Sequence, residues 1–187
     1  MQKIIYDIDD GIDFGKWKDK TSQYLYYQST IEILKKIKIP DSVADFGGGN
    51  GLLKQFIPQI KTIDIDENKQ PDLIANILHH HDHYELIIIR YVLHYLNDYE
   101  VIELFKTINA DNILIIQFEN QDLKIKYQNS INEFKYFRTT NQLKALIPKK
   151  AKEIYSKEYM VDSTFYDNRL KNGQYEPHRE ILKAYYV

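Results

Sequence analysis

Four of the seven glycines in this 187-residue chain fall between Gly47 and Gly51. Glycine loses more freedom on ordering than any other residue and offers no side chain to pack. A cluster of it directly after the strand-like run Asp41-Ser42-Val43-Ala44-Asp45-Phe46 points to backbone that approaches a ligand closely. The spacing separates ligand classes. A dinucleotide fingerprint, G-x-G-x-x-G, needs a third glycine at position 52. Leu52 stands there, which disfavours an NAD- or nucleotide-binding domain, and the pattern is Asp45-Phe46-Gly47-Gly48-Gly49-Asn50-Gly51.

The flanking segments read as alternating strands and helices. Apolar positions from Tyr24 to Ile37 keep helical spacing until Pro40 ends the stretch. After the glycines, Leu52, Leu53, Phe56 and Ile57 predict a short helix stopped near Pro58, and Lys61–Ile65 predicts a second strand. Strand, glycine loop, helix, strand is the grammar of a parallel sheet. Asp72–Ala75 predicts a third strand and Tyr84–Ile89 a fourth. The fourth lacks alternation, so it belongs at a sheet centre, buried on both faces. A helix is expected over Asp98–Ile108, a strand over Asn112–Phe118, and a helix over Thr139–Ile147 capped by Thr139 or Thr140. Residues 119–137 read as an insertion. Ala151–Val161 and His178–Val187 have strand character, joined by a long connection over 163–177, and suit an antiparallel hairpin closing the sheet.

Composition excludes several classes. The length suits one domain, 1–187, with an N-terminal helical cap over 1–39, a core over 41–118 and the remainder over 119–187. No apolar run approaches the ~20 residues needed to span a bilayer. Asp7, Asp9 and Asp10 stand where a secretory signal would be basic and then apolar, so a cytoplasmic protein without membrane attachment is expected. Cysteine is absent, which removes disulfides and thiolate chemistry. A net charge of −2 makes nucleic acid a less favoured partner than a small molecule. Nothing sets the oligomeric state. Sixteen tyrosines reflect a bias toward Ile, Lys, Tyr and Asn along the chain. His79-His80-His81-Asp82-His83 has metal-binding residue types, but adjacent ligands in a loop rarely converge on one point. The run reads as solvated histidines, and no metal is expected. Lys149-Lys150-Ala151-Lys152 reads as a solvated helix end.

The glycine pattern resembles motif I of the class I S-adenosylmethionine-dependent methyltransferases, and the resemblance runs beyond the loop. Asp64 ends the second predicted strand, 17 residues after Gly47, where that family places an acidic residue. Asp72-Leu73-Ile74-Ala75-Asn76-Ile77 is similar to the family segment beside adenine, with Asn76 in place of the usual Asp. Tyr84–Leu96 is similar to the fourth-strand segment, with Glu85 in place of Asp. The resemblance covers about residues 41–118. It implies a Rossmann-like three-layer α/β/α sandwich whose mostly parallel seven-stranded sheet has an antiparallel last strand. It implies S-adenosylmethionine as cofactor and S-adenosylhomocysteine as product. The residues it assigns to the cofactor are Asp45, Gly47, Gly48, Gly49, Gly51, Asp64, Ile65, Asn76, Ile77, Arg90 and Tyr91. Arg90 and Tyr91 are expected beside the reacting methyl. Tyr24, Tyr26 and Tyr27 belong to an N-terminal helix that either lids the site or packs on the sheet. His94, Glu119 and His178 are candidate general bases, needed only if the acceptor must lose a proton.

The expected reaction is methyl transfer to a small-molecule or peptide acceptor. An RNA or tRNA methyltransferase and a non-catalytic, cofactor-binding regulatory subunit are the alternatives. The fourth strand ends in Ile89-Arg90-Tyr91-Val92, without the Asp-Pro-Pro-Tyr type of sequence used by amino-group DNA methyltransferases, and the lack of cysteine excludes cytosine-C5 chemistry.

Overall fold

A computed structural model describes residues 22–119, 136, 138–161 and 178–187, with the backbone alone described at 22–27, 118, 159–161 and 178–180. Residues 1–21 of the expected cap over 1–39, the side chains of Tyr24, Tyr26 and Tyr27, nearly all of the insertion and the 163–177 connection lie outside the described residues.

The chain runs α1 (Ser22–Leu34), β1 (Val43–Phe46), β2 (Lys61–Asp64), β3 (Leu73–Ile74), β4 (Tyr84–Arg90), α2 (Asp98–Thr107), β5 (Ala110–Glu119), α3 (Thr140–Leu146), β6 (Lys152–Val161) and β7 (His178–Tyr186). The seven strands form one sheet in the order β3-β2-β1-β4-β5-β7-β6. The β1–β5 neighbours pair in parallel, and β7 runs antiparallel between β5 and β6. The expected sandwich with its reversed last strand is therefore the observed architecture.

β4 is the central strand that its continuous apolar run predicts. Leu86 and Ile88 join a core formed with Ile33 and Leu34 of α1 and with Leu53, Ile57 and Ile60. Ile87 and Ile89 point to the other face and pack with Val101 and Leu104 of α2 and Leu143 of α3. Period-two alternation thus divides one strand between two cores and fixes three layers. Both α2 and α3 start on capping boxes, Asn97 with Glu100 and Thr139 with Gln142, so Thr139 is the cap of α3.

The crossovers on the β1–β3 side are shorter than expected. The helix predicted after the glycines is one 3₁₀ turn, Leu52–Gln55, in which Leu53 O accepts from both Phe56 N and Ile57 N at 2.9 Å. The glycine turn before it and Pro58 after it leave room for no second turn. Leu53 and Ile57 still bury, as the apolar spacing requires. Two more 3₁₀ turns, Glu67–Lys69 and Ile77–His79, replace crossover helices. α1 ends at Leu34 rather than Ile37, although Ile37 and Ile39 pack against the first core. Among the described residues, no helix is long and apolar enough to cross a membrane.

Candidate functional site

The glycine turn leaves the carboxyl end of β1 and folds back over it. Gly47 N donates to Ile63 O at 2.7 Å, which ties the turn to β2. Gly47 has φ of +70°, and a Cβ there would lie 2.4 Å from Val92 Cγ2. The residue must be glycine both for its backbone and for the packing of the post-β4 chain against it. A Cβ on Gly48 would meet the Asp45 carboxylate at 2.6 Å, so Asp45 lies directly beneath the turn. Gly49, with φ of +53°, faces open space: a Cβ there would meet nothing within 4 Å. Gly51 starts the 3₁₀ turn, its carbonyl accepting from Lys54 N at 3.0 Å.

Asp64, at the tip of β2, braces this turn. Its Oδ2 accepts from Gly49 N and its Oδ1 from Asp66 N, both at 2.9 Å. Each carboxylate oxygen has a further lone pair. The next residue, Ile65, is 69% exposed, an apolar side chain beside the carboxylate. Across β2, Thr62 N donates to Asp72 Oδ2 at 2.8 Å, and Lys54 pairs with the other oxygen of Asp72. The Lys54 hydrogen bond is the main reason that the Asp72 pKa lies below its ordinary value. Asn76 Oδ1 caps the third 3₁₀ turn by accepting from Leu78 N at 3.0 Å. Ile77 is buried in the second core, so its side chain faces the sheet.

Asp45 is 1% exposed, and neither of its oxygens has a hydrogen-bond partner among the described residues. Burial raises its pKa from 3.8 to about 6, with Arg90 acting to lower it and Asp64 to raise it. Arg90 ends β4 half-buried, its guanidinium carbon 5.3 Å from the centre of the Tyr91 ring. Tyr91 has φ of +58°, a left-handed conformation that a bulky residue adopts at a cost of order 1–3 kcal/mol. The strained residue directs the chain from β4 to Val92 and so onto Gly47.

Of the three candidate bases, His94 and Glu119 are buried and partnered within the fold. His94 is 1% exposed and its Nδ1 lies 3.1 Å from Gln117 Nε2 of β5. Glu119 is wholly buried, accepting from Tyr185 Oη at 2.7 Å and from Thr140 Oγ1. His178 opens β7, and its side chain lies outside the described residues. The histidine run diverges: His80 is buried, 3.2 Å from Tyr84 Oη and edge-on to Phe46, while His83 pairs with Asp111 at 3.1 Å. No group of three metal-ligating side chains occurs among the described residues.

Sequence patterns give no sign of Arg138. Its guanidinium donates to Leu93 O at 2.6 Å, to Leu96 O at 2.8 Å and to Asp98 Oδ1 at 2.7 and 2.9 Å. It fastens the turn that carries His94 to the start of α3. These three partners lie 40 or more residues away, so no local pattern announces them.

No family model and no curated protein matches the sequence. Solved structures do match the fold. YcgJ from Bacillus subtilis superposes with a TM-score of 0.61 at 13% identity, over 86% of this chain and 96% of that one. A SAM-dependent methyltransferase from Archaeoglobus fulgidus gives 0.57 at 15% identity, over 88% and 94%. Magnesium protoporphyrin IX methyltransferase from Synechocystis, with bound S-adenosylhomocysteine, gives 0.54 at 16% identity, over 87% and 84%. The sheet order, the reversed β7 and these superpositions agree: the chain has the fold of the class I S-adenosylmethionine-dependent methyltransferases.

Proposed function

We propose that this protein binds S-adenosylmethionine at the carboxyl ends of β1, β2 and β4 and transfers its methyl group to a small-molecule acceptor. The observation that carries the reading is the glycine turn, held open at Gly49 between a braced Asp64 and a buried Asp45 that has no hydrogen-bond partner among the described residues. The residues present fit the cofactor. Asp64 retains lone pairs for ribose hydroxyls, and exposed Ile65 offers an apolar face to adenine. Asn76 holds the backbone at Ile77 in place through its cap. Among the described residues, neither oxygen of Asp45 has a hydrogen-bond donor of the kind an ammonium provides.

The cofactor supplies an already activated methyl on a sulfonium, so the protein's work is chiefly positioning. Gly47 and Gly49 let backbone reach the ligand. A base is required only for a protonated acceptor atom, and Glu119, wholly buried, would first have to be uncovered to serve as one. A small-molecule acceptor is favoured over RNA because the chain carries no basic surplus. The magnesium protoporphyrin enzyme, which shares the fold, also acts on a small molecule.

The test is calorimetric titration with S-adenosylmethionine and S-adenosylhomocysteine, with NAD as control. Micromolar binding of both, with NAD silent, is expected; silence toward all three overturns the reading. Asp64→Ala removes the brace of Gly49 and the ribose acceptor together. Affinity should fall on the order of tenfold to hundredfold, the effect of losing a charged hydrogen-bond partner. Once binding is established, a screen of small acceptors with labelled methyl identifies the substrate.

A further inference from the structure

The chain between β4 and α2 is a single turn rather than a helix. Tyr95 N donates to Val92 O at 2.9 Å and Leu96 N to Leu93 O at 3.4 Å. A short segment beyond β5 grips it. Tyr136 N donates to His94 O at 2.9 Å. Arg138, 8% exposed, has acceptors for all five of its N–H groups. Nη1 donates to Leu93 O and, at 3.3 Å, to Tyr136 O; Nη2 donates to Leu96 O and Asp98 Oδ1, and Nε to the same Oδ1. Three carbonyls of one turn, those of Leu93, His94 and Leu96, are thus met from residues 136 and 138.

Burying a guanidinium is costly unless every donor is met. Its one carboxylate partner among the described residues, Asp98, has a side chain 72% exposed, so the buried side of the charge serves backbone carbonyls of the turn. The same turn starts at Tyr91, with φ of +58°, and continues into Val92, which packs so closely on Gly47 that a Cβ there would lie 2.4 Å from Val92 Cγ2. A bulky residue keeps a left-handed backbone only while its surroundings impose it. Released, Tyr91 would return to an ordinary φ and carry Val92 off Gly47. We propose that Arg138 is a positioning residue for the methyl transfer: it holds the turn after β4 so that Val92 fixes Gly47 and, with it, the opening at Gly49. The inference rests on the cofactor reading above and gives part of the ligand's affinity to a residue that acts through Val92. The competing explanation is that Arg138 serves folding alone, tying the start of α2 to the start of α3.

Calorimetry on the full chain, well below its Tm, separates the two. Wild type, Arg138→Lys, Val92→Ala and the double variant are titrated with S-adenosylmethionine, and the fitted stoichiometry counts the folded molecules. Lysine keeps the charge but lacks the fork and two of the donors. Each single variant should bind about tenfold more weakly at a stoichiometry near one, within the roughly hundredfold that misplacing a site from outside it can cost. The double variant should be at most about twofold weaker than the weaker single variant, because both changes remove the same support. Unchanged affinity in Arg138→Lys overturns the proposal in favour of the folding role. Losses that multiply in the double variant also overturn it, since Arg138 then does not act through Val92. Asp98→Ala covers the case in which Arg138→Lys does not fold. It alters an exposed side chain, removes two of the five bonds and should weaken binding about threefold; unchanged affinity there overturns the proposal. In each of these cases the cofactor reading stands. Silence of wild type toward S-adenosylmethionine removes the cofactor reading itself, and this inference with it.

Discussion

Two carboxylates sit at the carboxyl ends of their strands, Asp45 in β1 and Glu119 ending β5, each 1% exposed or less. Their surroundings are opposite. Glu119 accepts from Tyr185 of β7 and Thr140 of α3, so one charge fastens the last parallel strand to the antiparallel strand and to a helix. Tyr185 responds accordingly: burial first, then its bond to Glu119, pushes its pKa well above the phenol range. Asp45 has no such partners among the described residues and lies under glycines that leave one side open. A buried carboxylate that is satisfied holds a fold together. One left unsatisfied beside an open turn costs stability and is positioned for a ligand's charge.

The strongest way to break this contrast is Glu119→Ala. It strands a buried phenol and a half-buried hydroxyl and unties three elements, and should cost about 4 kcal/mol of unfolding free energy by urea titration. Affinity of the folded protein for S-adenosylmethionine should stay within about twofold. A large loss of affinity with little loss of stability would make Glu119 part of the ligand site.

Asp45→Asn should move stability the other way. Keeping this carboxylate charged near pH 7.5, with a pKa of about 6 in the fold against 3.8, costs the ligand-free protein roughly 3 kcal/mol. The neutral amide still lacks a partner and keeps part of that cost, so a gain of about 2 kcal/mol is expected, read as a higher Tm. The sign follows from proton binding. Between about pH 4 and 6 the folded state holds the Asp45 proton more tightly than the unfolded chain. Wild-type stability contributed by this group therefore falls as pH rises through that window. The variant should lack that fall and should bind the cofactor more weakly. A variant less stable than wild type at neutral pH would place Asp45 with Glu119 as a structural group.

The sequence carries one side of this comparison better than the other. Asp45, the glycines and Asp64 fall within one run of strand, turn and strand, so their juxtaposition is legible from spacing, whereas Arg90-Tyr91 enters only through the resemblance of the fourth-strand segment. The partners of Glu119 come from 21 and 66 residues away, and no periodicity reveals that a hydroxyl from α3 and a phenol from β7 will meet it. Arg138 is hidden for the same reason. The crossover after the glycines is shorter than its pattern predicts because apolar spacing reports which side chains bury, whereas Pro58 decides how many turns fit before β2. The positive φ of Tyr91 has no local signal either, since a bulky residue adopts it only when tertiary packing imposes it.

The smallest expected effect is the sharpest on mechanism, because it asks whether the ligand senses Asp45 at all. If the cofactor's ammonium is stabilised by the ionised form, binding requires the Asp45 proton to leave. With a pKa of about 6 in the ligand-free fold, affinity should be nearly flat just above that value and weaken as pH falls below it. The limit is tenfold per pH unit, about 1.4 kcal/mol, approached only when nearly all of Asp45 is protonated. On the alkaline side, the ligand's own α-amino group loses its charge near pH 8, so affinity should peak between the two values. Calorimetry at pH 5, 6 and 7 in buffers of different ionisation enthalpy also counts the protons released. Asp45→Asn should abolish both the acid-side slope and the proton release, whereas Glu119→Gln should leave them in place. A wild-type affinity that is level from pH 5 to 7, with no protons released, would mean that the ligand does not engage the charge beneath the glycine turn, and that the two carboxylates differ only in how they are packed.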